Sequence, residues 1–215
     1  MTCWALVPIK SRPQCKGRLS GLLAPSERID VVRGMVAQVL EALRGARSID
    51  QIAVVTPERD SLPADVLVLD DPGRGLNAAL DSGRRELLAR GPCELVVLHA
   101  DLPLVTAADI ELLVASGRRT GFAVAPDAAC LGTNALYLAQ PAQYRYHFGA
   151  DSCRKHLEEG ARLGLAAELV RTRGLEFDLD RGEDLAQLRA QGDARFVSLQ
   201  LLPSGGTWLP QTRYG

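Results

Sequence analysis

Residues Cys3–Ile9 read CWALVPI, a near-continuous apolar run of strand length that ends directly on Lys10-Ser11-Arg12. A strand with one wet face alternates apolar and polar residues. An unbroken apolar run needs cover on both faces, which is the situation of a parallel strand inside an α/β sheet. Such sheets bind their ligands at the carboxyl ends of the strands, so the loop that opens at Lys10 becomes the first place to look for chemistry.

The rest of the chain repeats this alternation. Gln51–Thr56, Val66–Asp70, Glu94–Ala100, Phe122–Ala125 and Asn134–Ala139 read as strands, with Glu168–Thr172 and Glu176–Asp180 as short extended pieces. Between them lie helix-period segments. One begins near Ser26, a possible N-cap, and carries Ile29, Val32, Val36, Val39, Leu40 and Leu43 on one face. Others are Gly75–Arg90, a segment opened by a Thr106/Asp109 capping pair and running through Val114, Ser152–Leu163, and a closing helix at Asp184–Ala190. This order predicts one α/β domain over residues 1–195, with a mixed, mainly parallel sheet and helices on both faces. Residues 196–215, with Pro203, Gly205, Gly206 and Pro210, read as a tail.

Charge narrows the partners. The 25 basic and 26 acidic residues leave a net charge of −1, so no global basic field exists to hold nucleic acid, and an anionic partner must be met by a local cluster. The longest apolar runs fall far short of the ~20 residues of a membrane span. Five cysteines without a C-x-x-C pair argue against a disulfide framework and a structural zinc site. The N-terminus shows no signal-peptide pattern, and the expected compartment is the cytoplasm. Monomer and homodimer are both open.

Four segments carry candidate chemistry. Lys10, Arg12, Lys16 and Arg18 follow the first strand, and clustered Lys and Arg there suit a polyphosphate; a solvated basic loop is the plain alternative. Neither G-x-G-x-x-G nor G-x-x-x-x-G-K-[ST] is present, against a dinucleotide dehydrogenase and a P-loop ATPase. The fourth strand ends on His99-Ala100-Asp101-Leu102-Pro103, where Asp101 is placed either to hold a metal or to cap a turn. Phe177-Asp178-Leu179-Asp180, if extended, turns Asp178 and Asp180 to one side and Phe177 and Leu179 into the core. Two adjacent carboxylates repel unless a cation lies between them, and magnesium takes such hard oxygen ligands. Gly75 and Asn77 follow the third strand, where a glycine admits a flat ring and an amide can read a base edge. Gly132-Thr133-Asn134 and Phe148-Gly149-Ala150-Asp151-Ser152 bring free amides and hydroxyls to a strand start and a helix start, as anion sites or as ordinary caps.

In order along residues 4–190, WALVPIK with Lys16, Arg18 and Leu19, then Gly75-Leu76-Asn77, Asp101-Leu102-Pro103-Leu104, Gly132-Thr133-Asn134-Ala135-Leu136, Phe148-Gly149 with Ser152 and His156, and Phe177-Asp178-Leu179-Asp180 resemble one family. It is the family of guanylyltransferases that act on 2-phospho-L-lactate, phosphoenolpyruvate or 3-phospho-D-glycerate in synthesis of the deazaflavin coenzyme F-420. The resemblance implies a nucleotidyltransferase-type, Rossmann-like fold, GTP as cosubstrate and Mg2+ held by Asp101, Asp178 and Asp180. It implies contacts of Thr133, Gly149 and Ser152 with the phosphorylated acid. Lys10, Lys16 and Arg18 would meet the triphosphate, and Gly75 and Asn77 would lie on the nucleotide side. Leu131 stands where the family often has Asp, and Gly149-Ala150-Asp151-Ser152 replaces the common Gly-Pro-Gly-Ser. An Asp151 carboxylate that accepts a substrate hydroxyl would favour 3-phospho-D-glycerate. Two rival readings are another nucleotidyltransferase of this fold, of molybdopterin or sugar-phosphate type, and a non-catalytic nucleotide-binding module.

Overall fold

The first strand, β1 (Thr2–Pro8), is flanked on both sides by parallel partners. Leu6 pairs with Ala53 of β2 (Gln51–Thr56) and with Val97 of β4 (Cys93–Leu98). In this computed structural model, which describes residues 1–9, 23, 25–59 and 62–190, the expectation of a strand covered on both faces holds. Cys3, Ala5 and Val7 enter one core and Leu6 enters the other, all fully buried.

Among the described residues, seven strands form one sheet in the order β3-β2-β1-β4-β6-β5-β7, with β3 at Leu67–Asp70, β5 at Gly121–Pro126, β6 at Thr133–Leu138 and β7 at Ala166–Leu169. Only β6 runs against its neighbours β4 and β5; the other pairings are parallel. The cause is local. A connection of six residues is too short for a parallel crossover, so β5 and β6 meet as a hairpin. Asp127 closes it, because its carboxylate accepts the N–H groups of Leu131 and Gly132, each at 2.9 Å. A Cβ on residue 132 would lie 2.6 Å from Asp127 Oδ2, so this position is held to glycine.

Helices α1 (Pro25–Gly45) and α3 (Ala107–Thr120) cover one face of the sheet, and α2 (Leu76–Leu88) and α4 (Ser152–Arg162) cover the other. Thr106 and Asp109 make the expected reciprocal capping box, but α3 runs six residues past Val114, to a left-handed Gly121. Ser26 lies inside α1, whose first residue is Pro25, a residue suited to the first helical position. The extended piece expected from Glu176 is corrected. Arg173–Glu176 forms a short helix, α5, capped by the Thr172 hydroxyl, and the chain becomes extended only from Phe177. A final helix, α6 (Gly182–Ala190), packs Leu185 and Leu188 with Leu179 and Met35 in a third cluster outside α1. The tail expected over residues 196–215 lies outside the described residues.

A candidate active site at the carboxyl edge of the sheet

Because β6 runs backwards, its first residues reach the same edge as the carboxyl ends of β1 and β4. The N–H of His99, just past β4, donates to the carbonyl of Asn134 at 3.0 Å and extends the ladder to this edge. Asp101 lies in the next turn, with its side chain partly exposed and 4.0 Å from His99 Nδ1. The turn after β4 and the start of β6 therefore meet at one edge of the sheet.

Asn134 then brings in the distant acidic segment. Its buried carboxamide donates to the carbonyls of Leu175 (2.9 Å) and Glu176 (3.4 Å), which fastens the end of α5 to the sheet edge. The chain leaves α5 and returns across β4, where the Leu179 N–H donates to the Asp101 carbonyl at 3.1 Å. Leu179 is fully buried and Phe177 packs beside it, with half-buried Asp178 and Asp180 between and beyond them. Asp184 secures the turn into α6, its Oδ2 accepting the N–H groups of Asp180 (2.9 Å) and Arg181 (2.6 Å). The backbones of Asp101 and of the 178–180 segment are thus joined. Among the described residues, no group of three or more His, Cys, Asp and Glu side chains is gathered as a ready-made metal site.

The segment that leads into α4 is aromatic. Tyr144, Tyr146 and Phe148 alternate inward along an extended segment, all buried. Asn77, in the first turn of α2, clamps the end of this segment: its Oδ1 accepts the Phe148 N–H at 2.8 Å and its Nδ2 donates to the Phe148 carbonyl at 3.0 Å. That two-sided pairing is the role the structure shows for Asn77; the reading of a base edge expected for its amide competes with two bonds already made. Phe148 lies 4.9 Å from the His99 ring and 4.6 Å, edge-on, from the His156 ring.

Past Phe148, Gly149 has φ of 126°, a conformation that L side chains rarely adopt, and open space where a Cβ would point. Buried Ser152 begins α4, and the Cys153 N–H donates to the Leu131 carbonyl at 3.1 Å, so the helix start and the Gly132-Thr133 strand start lie together. Thr133 is buried there, with its hydroxyl 3.0 Å from His156 Nδ1. Burial pushes the His156 pKa down to about 3, helped by neighbouring His147 and His99. Asp151, exposed at φ 55°, makes no side-chain cap bond to α4. Gly75 caps α2 at φ 92°, again with open space at its Cβ direction. Lys10, Lys16 and Arg18, expected on the first loop, lie outside the described residues.

Thr133, Gly149 and Ser152 are therefore neighbours, and so are Asp101 and the 178–180 segment. Sequence reading missed the structural role of Asn134 and, for a His156 expected to be positional, the partners it holds. Both are polar residues buried by the fold, and only the placement of a distant partner reveals their work.

Comparison with known proteins identifies relatives of this chain and of its fold. The chain is 39% identical over 192 residues to the phosphoenolpyruvate guanylyltransferase of Sphaerobacter thermophilus, covering 87% of this chain and 93% of that one. It is 30% identical to the 3-phospho-D-glycerate guanylyltransferase of Phenylobacterium zucineum, over 86% of this chain and 88% of that protein. Among solved structures, a candidate nucleotide-diphospho-sugar transferase of Desulfovibrio desulfuricans G20 superposes with a TM-score of 0.72 at 16% identity, covering 91% and 90% of the two chains. A Mycobacterium tuberculosis H37Rv protein in complex with manganese superposes at 0.56 and 19% identity, covering 87% and 97%. The fold is thus that of the nucleotidyltransferases. The family model described as guanylyl transferase, CofC-like, matches residues 3–201, and the chain belongs to that family.

Proposed function

We propose that this chain transfers GMP from GTP to the phosphate of a small phosphorylated carboxylic acid in coenzyme F-420 biosynthesis. An oxygen of the acid's phosphate attacks the α-phosphorus, a new P–O bond forms, and the bond to the bridging oxygen breaks to release pyrophosphate. The attacking oxygen is already anionic, so no general base is needed. Transfers of this kind rest on positioning and charge stabilisation. The observation that carries the reading is the Leu179–Asp101 bond, which joins the acidic segment to the sheet edge that also carries Thr133.

Asp101, Asp178 and Asp180 are the residues that would hold Mg2+. They offer only hard oxygen donors, and a set that is incomplete alone fits a cation that keeps substrate phosphate in its sphere. Bound there, the ion would neutralise charge developing on the α-phosphate. Lys10, Lys16 and Arg18 neutralise the triphosphate. The positive-φ Gly75 admits the nucleoside to the start of α2, and Asn77 shapes that side of the site through Phe148. Thr133, Gly149 and Ser152 hold the acid.

The acid is phosphoenolpyruvate by the name of the relative 39% identical to this chain, with 3-phospho-D-glycerate as a second acceptor on account of the uncommitted Asp151 side chain. Among the described residues no helix is long and apolar enough to cross a membrane. Free GTP is an intracellular substrate, and we assign the reaction to the cytoplasm. The test is pyrophosphate release from GTP and Mg2+ with phosphoenolpyruvate, 2-phospho-L-lactate or 3-phospho-D-glycerate supplied singly. Release with phosphoenolpyruvate is expected; no release with any of the three overturns the reading.

A further inference from the structure

His156 is fully buried, and both of its ring nitrogens are engaged. Nε2 faces the backbone N–H of His147 at 3.0 Å, and Nδ1 faces the Thr133 hydroxyl oxygen at 3.0 Å. A backbone amide can only donate, so Nε2 must present its lone pair. A neutral imidazole carries its hydrogen on one nitrogen, which is therefore Nδ1. The ring donates to Thr133 Oγ1. A threonine hydroxyl has a single hydrogen, and with the ring as donor that hydrogen cannot be spent on His156. The backbone N–H of residue 147 thus sets, through the imidazole, the polarity of a hydroxyl two bonds away in the network.

Two further features keep the polarity fixed. Burial holds the ring neutral, so a second ring proton does not compete for the His147 N–H. The edge-on Phe148 ring at 4.6 Å restrains the imidazole plane, and Phe148 is itself clamped by Asn77. Thr133 sits beside the start of α4, where Ser152 is buried and Gly149 leaves open space.

We propose that His156 is a positioning residue that makes Thr133 a one-way hydrogen-bond donor to an anionic oxygen of the phosphorylated acid. Carboxylate and phosphate oxygens only accept, so a hydroxyl barred from donating elsewhere is matched to them before the substrate arrives. The inference rests on the guanylyltransferase reading.

The test compares Thr133→Val, Thr133→Ser, His156→Phe, His156→Gln and the Thr133→Val/His156→Phe double variant in steady-state assays with phosphoenolpyruvate and GTP. Thr133→Val should raise KM for the acid by about tenfold or more, the loss of a hydrogen bond to a charged group, and leave KM for GTP within about twofold. Thr133→Ser and His156→Gln keep the required donor and acceptor pattern and should restore most of it. The double variant should be no worse for the acid than the worse single variant, because the two residues act in series. Independently of activity, heteronuclear NMR of the wild-type protein should show the Nδ1–H tautomer of His156 between about pH 5 and 8. The Nε2–H tautomer, additive losses in the double variant, or equal rises in KM for acid and GTP would overturn the inference. Should His156→Phe not fold, Thr133→Val, His156→Gln and the NMR spectrum still decide it. Wild-type protein that turns over no acid overturns the guanylyltransferase reading and this inference with it.

Discussion

The Leu179 N–H donates to the Asp101 carbonyl at 3.1 Å, and this bond ties the end of a central strand to a segment that enters only after the whole sheet is built. Leu179 is held from below by Leu185, Leu188 and Met35, and the start of its segment is held by Asn134. Asp178 and Asp180 flank a residue that cannot move without exposing an apolar side chain. The proposed metal ligands are thereby fixed through their neighbours' backbone and packing.

Asp101→Asn keeps the size and the backbone bond but removes the charge. It should lower turnover and weaken apparent Mg2+ affinity by more than about tenfold, a loss reached even by residues one step removed from a metal. Circular dichroism should be unchanged. A metal titration indistinguishable from wild type would remove Asp101 from the site.

Asn134→Leu should act on the same segment without touching a charge. Two carbonyls lose their donor, and an unsatisfied buried acceptor costs about 1–3 kcal/mol. In a domain this size that lowers Tm by roughly 2–4 °C per kcal/mol. Metal affinity should fall with it, because α5 no longer holds Phe177–Asp180 against β4. Loss of stability with unchanged metal affinity would show that Asn134 supports the fold alone.

The two-sided core was legible in the first strand, since CWALVPI admits no other placement. So was the capping box at Thr106, a purely local pattern. The reversal of β6 was not, because it depends on a loop closed by Asp127 and on a glycine whose Cβ would strike it. Helix α5 escaped because four residues show no period. Asp101, Asp178 and Asp180 could be named from motifs, whereas the bond that joins their segments has no sequence signal at all. Asn77 shows a similar gap: its place at the start of the helix after the third strand was readable, but its pairing with Phe148 was not.

Stability should fall with pH in a window that belongs to His156. Its pKa is lowered from 6.5 to about 3, so the folded state binds fewer protons than the unfolded state. The stability it supplies is complete above pH 6.5 and is lost as pH falls toward 3, by up to about 1.4 kcal/mol per pH unit. Burial dominates the shift; His147 and His99 oppose the charge, and Glu159 favours it. Carboxylates with lowered pKa, such as Glu94 and Glu111, contribute losses only below about pH 5. Between about pH 6.5 and 5 the wild-type Tm should therefore drop by roughly 3–7 °C, and His156→Gln should lose most of that slope. Parallel curves for the two proteins would assign the transition to another group.

Asp151 stands at φ 55°, where an L residue pays for its Cβ, and it gains no cap bond in return. Glycine, the residue the family pattern carries there, fits this conformation at no steric cost. Asp151→Gly should therefore leave the fold intact and raise stability by up to about 1 kcal/mol, read as a higher Tm. If the exposed carboxylate accepts the hydroxyl of 3-phospho-D-glycerate, the same change should lower use of that acid by about fivefold, the worth of one hydrogen bond in water. Phosphoenolpyruvate has no hydroxyl and should be used as before, or better once a negative charge beside the acid is gone. Competition between the two acids at equal concentration, measured by product ratio, separates these effects. A ratio unchanged by Asp151→Gly would leave the residue as a strained helix start with no voice in substrate choice. An equal loss for both acids would mean instead that the loop from Gly149 to Ser152 had shifted.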